Sequence, residues 1–445
     1  MKRSLILWGT SMVVSSGIVP LYAQLDITAQ VRTRTEYRDG QGAPLPVGTK
    51  PALFTSQRTR LSAGFKGFKV KTGITLQDVR VWGQDVSSSN RTAPADLNSM
   101  MLHEAWGEIM LGDTSVTAPA VSVKLGRQEL VYDDQRLLGN LDWLQQGRRH
   151  DAILFKYAHA GWMVHAAAAF NQNKELSNGT LYNSTPPSYA GNTNGSTHYK
   201  SMQFIFAGKK WSTGNASWLM LADQFSRYST NNTTNIKTLE AGTWARYTTG
   251  VYFNNNCGDV GATASAYYQF GTNTIGHQVR AALLSGAFQY SFSKQFTGIM
   301  GIDHTSGGVA GNRSDVFDPL YGTPHKFGGL MDYFYVASPF GQGGLNNYFL
   351  KMRYLFSPAL QLSADFHQFS SAAPVGQASQ KNLGQELDLV GNYNINKQVN
   401  IEAGVAHFFS TPLLTSPAVK NILNAKHNST WAYVMVNIKP GFIFE

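Results

Sequence analysis

The chain holds a single cysteine, Cys257, among 445 residues, which excludes an internal disulfide and a cysteine-rich metal site. Charge is scarce as well, with Asp, Glu, Lys and Arg making up 14% of the chain. Past the N-terminus no stretch approaches the ~18–20 consecutive apolar residues of a membrane-spanning helix. No convincing amphipathic helix is present either, so nothing stands ready to cover the face of a sheet. Catalytic signatures are missing: there is no G-x-S-x-G elbow and no Walker loop, and His103-Glu104 has no second histidine four residues on. Gly341-Gln-Gly-Gly344 lacks the rest of a dinucleotide fingerprint. No enzyme activity, metal or cofactor is expected. Without a basic block or a zinc-finger pattern, nucleic acid is not an expected partner.

What is present begins with a secretory signal over residues 1–23. Lys2 and Arg3 precede an apolar run from Leu5 to Val19, and Leu21-Tyr22-Ala23 offers a small residue before Gln24. Residues 24–445 are expected to form one domain. Formal net charge is +10, or +8 without Lys2 and Arg3, which favours anionic partners. Aromatic content reaches 12% and glycine numbers 43.

From Gln24 onward the pattern has period two. Leu25, Ile27, Ala29, Val31 and Tyr37 alternate with Asp26, Gln30, Arg32, Arg34, Glu36 and Arg38, and a strand places these sets on opposite faces. Leu53 to Lys66 repeats the contrast, with Leu61, Ala63 and Phe65 set against Arg58, Arg60 and Lys66. Similar segments recur to 429–439 and number eighteen. A further short candidate, Lys326 to Phe334, falls inside the long 305–345 connection. Links alternate between short (67, 159–161, 209–215, 253–258) and long (39–52, 82–97, 128–147, 171–199, 305–345). This is the pattern of an all-β transmembrane antiparallel barrel with short periplasmic turns and longer extracellular loops, in the bacterial outer membrane. A soluble sandwich would need a second layer over its apolar faces. Aromatics beside the short turns, among them Phe65, Phe68, Trp162, Trp218, Tyr354 and Phe356, read instead as an interfacial girdle in outer-membrane lipid.

Parity then puts Arg32, Arg34, Arg58, Arg60, Lys124, Arg246, Lys351 and Arg353 toward the lumen. Arg80, Arg127, Arg136, Arg148 and Asp151 join this pore-lining set, although a bulge near Gln77–Arg80 or Gly126–Gln128 would reverse the face. Rings of Arg or Lys are how pores select anions. Gly126 to Asp151 is the densest polar stretch, five Arg or His against five carboxylates, and is expected to form a loop at the pore mouth. Its charges are expected to pair mostly with one another, while Leu137, Leu138, Leu141 and Trp143 anchor it by packing.

That stretch, G-R-Q-E-L-V-Y-D-D-Q-R-L-L-G-N-L-D-W at 126–143 followed by G-R-R-H-D-A at 147–152, resembles the signature of the alginate-export outer-membrane family. F-D-P-L-Y-G-T-P-H-K-F-G-G-L-M-D at 317–332, with Asp318, His325 and Lys326, is similar to that family's later loop, and Leu76 to Gly83 fits it as well. The resemblance implies an eighteen-stranded barrel with an arginine-rich lumen that passes an anionic exopolysaccharide outward and is partly occluded by loops. It assigns Arg127, Gln128, Asp134, Gln135, Arg136, Asp142, Trp143, Arg148 and Asp151 to the signature. Arg149-His150 departs from it, as does Asp303-His-Thr-Ser-Gly-Gly308. Two other functions remain open: a porin for small acidic solutes, and a surface-binding barrel using the Asn- and Ser-rich 171–199 loop. Periplasmic secretion partners suit the export function, and no feature demands an oligomer, so a monomer is expected.

Overall fold

The computed structural model describes residues 24–84, 100–112, 118–171, 199–231, 233–234, 237–334, 342–376 and 380–444; the expected signal over 1–23 lies outside them. Nine strands make the first half of the wall: β1 (Gln24–Asp39), β2 (Ala52–Lys66), β3 (Val70–Val81), β4 (Met101–Met110), β5 (Ala120–Gln128), β6 (His150–His159), β7 (Trp162–Phe170), β8 (Ser201–Lys210) and β9 (Gly214–Thr230). The second half is β10 (Lys237–Cys257), β11 (Val260–Thr272), β12 (Gln278–Ser291), β13 (Phe296–Thr305), β14 (Leu345–Ser357), β15 (Leu360–Ser370), β16 (Asn382–Asn394), β17 (Val399–Ser410) and β18 (Asn428–Ile438). Each strand pairs antiparallel with the next, and β18 returns to β1 with Met435 opposite Arg34. The sheet therefore closes into an eighteen-stranded barrel and leaves no edge unpaired. Past Pro440, which has no N–H to give the ladder, Gly441–Phe444 resumes pairing with β1.

Seven of the turns at one end span only two to four residues. In the β6–β7 turn Ala160 and Gly161 take φ of 47° and 79°, the left-handed pair that a two-residue hairpin matched to strand twist requires. The opposite end carries the long links, including 129–149 and 306–344. Lys326 to Phe334 is not a strand. It overlaps a 3-10 turn at Pro324–Lys326, and among the described residues of that link the pairing is a small hairpin of Val309–Ala310 with Arg313–Ser314.

Register fixes which side chains look outward. Leu61, Ile74, Ile153, Val251, Leu389 and Val434 form the outward set at mid-wall and stand largely exposed, an arrangement that only lipid makes favourable. Phe65, Phe68, Trp162, Trp218, Tyr354 and Phe356 are exposed near the short turns, where an aromatic girdle belongs. The inner wall has two characters. On β6, β8, β9 and β12 it is mainly apolar, with Leu154, Phe204, Phe206, Leu219, Leu221 and Phe225 buried in one cluster. On β1 and β2 it carries Arg32, Arg34, Arg58 and Arg60. The bilayer assignment of the outer wall has a direct check. Leu389→Arg is expected to destabilise the barrel by ~2–4 kcal/mol in urea titrations in lipid, and an unchanged midpoint would place Leu389 away from the hydrocarbon.

Candidate functional site

Two long links fold into the barrel rather than out from it. The first, 129–149, leaves β5 with Glu129 accepting hydrogen bonds from Asn140 (2.8 Å) and from the His103 ring on β4 (2.9 Å). It crosses to the far wall, where the Tyr132 hydroxyl meets His165 of β7 at 2.8 Å and Ser217 of β9 donates to Asp133 at 2.7 Å. Arg136 pairs with Asp303 of β13 at 3.0 Å and lies over the Phe327 ring. Leu137, Leu138 and Leu141 are buried beneath the turn. The link then returns to β1 and β2, where the Asp142 carboxylate stands 2.8 Å from Arg58, 3.2 Å from Arg32 and 3.5 Å from Arg60.

The second link, 306–344, docks on the first. Tyr321 N–H donates to the Leu137 carbonyl, Gly139 N–H to Tyr321 and Thr323 N–H to Gln135, all at 2.8–2.9 Å. Arg148 donates to the Gly322 carbonyl. Glycine is required at 322 because a Cβ there would run into the Arg136 carbonyl. Asp318 accepts from Arg246 of β10 at 2.5 Å, and the Tyr321 hydroxyl donates to Asp223 of β9 at 2.8 Å. Further along, His325 bonds Asp332 at 2.7 Å and stacks on Trp143 with ring centroids 4.2 Å apart. Arg34 covers the same indole at 4.3 Å. Leu330 and Met331 donate their N–H groups to Asp388 and Glu386 of β16.

These contacts revise several expectations. Within Gly126–Asp151, Asp134 pairs with Arg136 (3.2 Å), Arg127 with Asp151 (2.8 Å) and Glu129 with Asn140. Asp133, Arg136, Asp142 and Arg148 also reach the barrel wall or the second link, so the stretch is held by its surroundings as well as by itself. Arg127 and Asp151 are not pore-lining. Both share the outward face of Leu125 and Ile153, because the β5–β6 register sets Leu125 opposite Ile153. Arg80 also faces outward, beside Ile74 and Leu76, and pairs with Asp78 at 2.7 Å. Lys124 faces inward over the Trp106 ring, and Lys351 and Arg353 face inward and pair with Asp365. Gln128 caps the inner end of β5 by donating to the Ala152 carbonyl, and Lys326 donates to the Asp134 carbonyl. Glu129, Asp133, Asp223, Glu386 and Asp388 also secure the links, and of these Asp223 was not anticipated from the sequence. Asp223 did carry a signal, as the one acid in the inward series Leu219, Leu221, Asp223, Phe225.

Two cavities flank the first link on its turn side. One of 310 Å³ is bounded by Gln30, Arg58, Arg60, Glu104, Asn140 and Asp142. The other, of 470 Å³, is bounded by Lys124, Glu129, Tyr132, Asp133, Lys156 and His165. Burial disfavours the Asp142 carboxylate, yet Arg58, Arg32 and Arg60 hold its pKa down to about 2. Asp133 moves the other way. Burial, aided by the charge of Asp134 and opposed by the Ser217 hydrogen bond, pushes it up to about 6.

A family profile described as alginate export matches residues 23–337, most of the chain. The chain belongs to the alginate-export family. Solved barrels share its fold. OpdK of Pseudomonas aeruginosa, determined with vanillate, is 11% identical, with 94% of this chain and 99% of that one covered at a TM-score of 0.59. OccK9 (OpdG) of Pseudomonas aeruginosa is 13% identical over 94% and 98% of the two chains, with a TM-score of 0.61. No curated protein sequence matches this chain. This alginate-export family member is a bacterial outer-membrane barrel, and family and fold together point to a channel rather than an enzyme.

Two measurements check the architecture of the links. Deleting 130–146, or replacing Gly322 with Val, is expected to raise single-channel conductance; an unchanged value would mean that the first link does not narrow the pore. For Asp133, a raised carboxyl pKa means the folded state holds the proton more tightly. Burying Asp133 in the docked link therefore becomes less costly as pH falls from 8 through about 6 and levels off below about 4, by up to about 3 kcal/mol, even though the Ser217 hydrogen bond itself favours the charged form. Hydrogen exchange in 131–135, corrected for intrinsic rates, is expected to slow toward pH 5, and Asp133→Asn to remove that trend.

Proposed function

We propose that this barrel is a passive channel for an anionic, alginate-like polysaccharide, which leaves the periplasm along the arginines of β1 and β2. The observation that carries this is the convergence of Arg32, Arg58 and Arg60 on one point of the lumen, in a chain of the alginate-export family. A guanidinium fork suits the carboxylate of a uronic acid, which it binds through two parallel hydrogen bonds. Lumen acids such as Asp142, Glu129 and Asp365 are interleaved with these cations and keep each site weak enough to release a polyanion, as conduction demands. The barrel acts as a monomer, and periplasmic secretion proteins feed it polymer.

A second function, uptake of small acidic solutes, is favoured by the filled lumen. Cavities of 310 and 470 Å³ suit a single acidic ring better than a polymer, and the similar barrel OpdK was solved with vanillate. The surface-binding alternative rested on the 171–199 loop, of which 172–198 lie outside the described residues.

In planar bilayers the wild-type channel is expected to prefer anions, and Arg58→Ala with Arg60→Ala to weaken that preference several-fold. A cation preference indifferent to these substitutions would sink the proposal. Block of the anion current by polymer favours export, whereas block by mono-uronate alone favours the small-solute porin.

A further inference from the structure

Asp142 has an unusual setting. It sits where three guanidiniums converge, and these are nearly closed off from solvent, with side-chain exposures of 5% for Arg32, 1% for Arg58 and 13% for Arg60. The Asp142 side chain is 48% exposed, so the open side of the cluster is the carboxylate itself. That side faces the polar 310 Å³ cavity on the short-turn flank of the link. The link does not depend on this carboxylate alone. Its backbone is clasped separately: Arg32 donates to the carbonyls of Asp142 (2.7 Å) and Leu144 (3.2 Å), and Arg34 to that of Trp143 (2.8 Å). Gln145 adds hydrogen bonds with Arg32 and Ser56.

Resting on the proposed function, we infer that Asp142 is a built-in competitor for the carboxylate of the transported uronate. The guest carboxylate takes the donors of Arg58 and Arg60 while the Asp142 side chain turns into the cavity, and Asp142 returns when the guest moves on. Exchange of one carboxylate for another never leaves the buried guanidiniums without an anion, the state that costs most in a poorly solvated site. A neutral sugar offers nothing to displace Asp142 and gains no hold there. Asp142 thereby sets both the selectivity for acidic sugars and the weakness of their binding.

The test measures block of the open-channel current by defined oligo-uronates in planar bilayers, using the full-length barrel. Asp142→Asn removes the competitor and keeps the side-chain size, and the half-blocking concentration is expected to fall about tenfold, with longer block events. Asp142→Glu restores a carboxylate and is expected to return block toward the wild-type value. Glu402→Gln is the control for net charge. Its carboxylate faces the lumen but bonds Tyr433 and Asn392 instead of the arginine cluster, and its block is expected to match wild type. Equal tightening in Asp142→Asn and Glu402→Gln would reduce the effect to net charge and overturn the inference, as would unchanged or weaker block in Asp142→Asn. Should Asp142→Asn fail to assemble, Asp142→Ser carries the same expectation. A wild-type channel with no anion preference and no uronate block would count against the proposed function. A blocked wild type with an indifferent Asp142→Asn would count against this inference alone.

Discussion

Arg32 and Arg58 are direct cross-strand partners in the β1–β2 register, with Arg60 one step along the same face. Like charges set opposite one another on a sheet repel, and here they are also buried, where an unpaired charge is most costly. The wall alone offers little relief, since Gln30 and Gln77 bring dipoles but no charge. An anion has to come from elsewhere in the chain, and Asp142 brings it from the first inward link. The β1–β2 wall and the link are therefore a single electrostatic unit. Neither arrangement is favourable without the other, which ties the filled lumen to the composition of the first two strands.

The other half of the lumen follows a different principle. On β6, β8, β9 and β12 the inner wall is mainly apolar, and Leu130, Leu137, Leu138, Phe317 and Leu320 from the two links pack against it. A second apolar cluster joins Met331, Tyr333 and Phe334 to Phe369, Phe408 and Trp431 on β15, β17 and β18. Each link is thus pressed onto greasy wall by burial and spaced by polar clamps at a few points: Asp133 with Ser217, Arg136 with Asp303, Asp318 with Arg246. Burial supplies adhesion, and the charged clamps set position, since a displaced buried ion loses its partner.

Much of this was legible in the chain. Period-two alternation and the alternating link lengths were enough for eighteen strands and their order, because lipid outside and a closed ladder leave few other solutions. Inward arginines on β1 and β2 followed from parity alone. What parity could not supply was the face of Arg80 and Arg127, where a single-residue register choice decides and the polar residues stand on the outward side near the strand ends. Nor could it reveal that 129–149 turns inward. That depends on an inner wall that is apolar on β8 and β9, so these strands are apolar on both faces and lose the contrast that alternation relies on. The two glycines at 139 and 322 were visible, but their role is a close approach between segments far apart in the chain, which no local pattern encodes.

The two principles divide the first link into parts of unequal mobility. Residues 130–138 are held by apolar burial and by backbone hydrogen bonds to the second link, which a charged solute has no means to replace. Within 140–145 the Asp142 carboxylate is held by guanidiniums, a partner that another carboxylate can replace one for one, whereas Asn140 bonds Glu129, Leu141 is buried and Trp143 stacks on His325. Under the proposed function, a polyanion following the β1–β2 wall therefore loosens only the Asp142 side chain and leaves the rest of the plug seated. Opening is then local and selective by construction. The bonds that close this side of the pore are of the same chemical kind as those the substrate offers, and a solute without a carboxylate meets a lumen that stays shut.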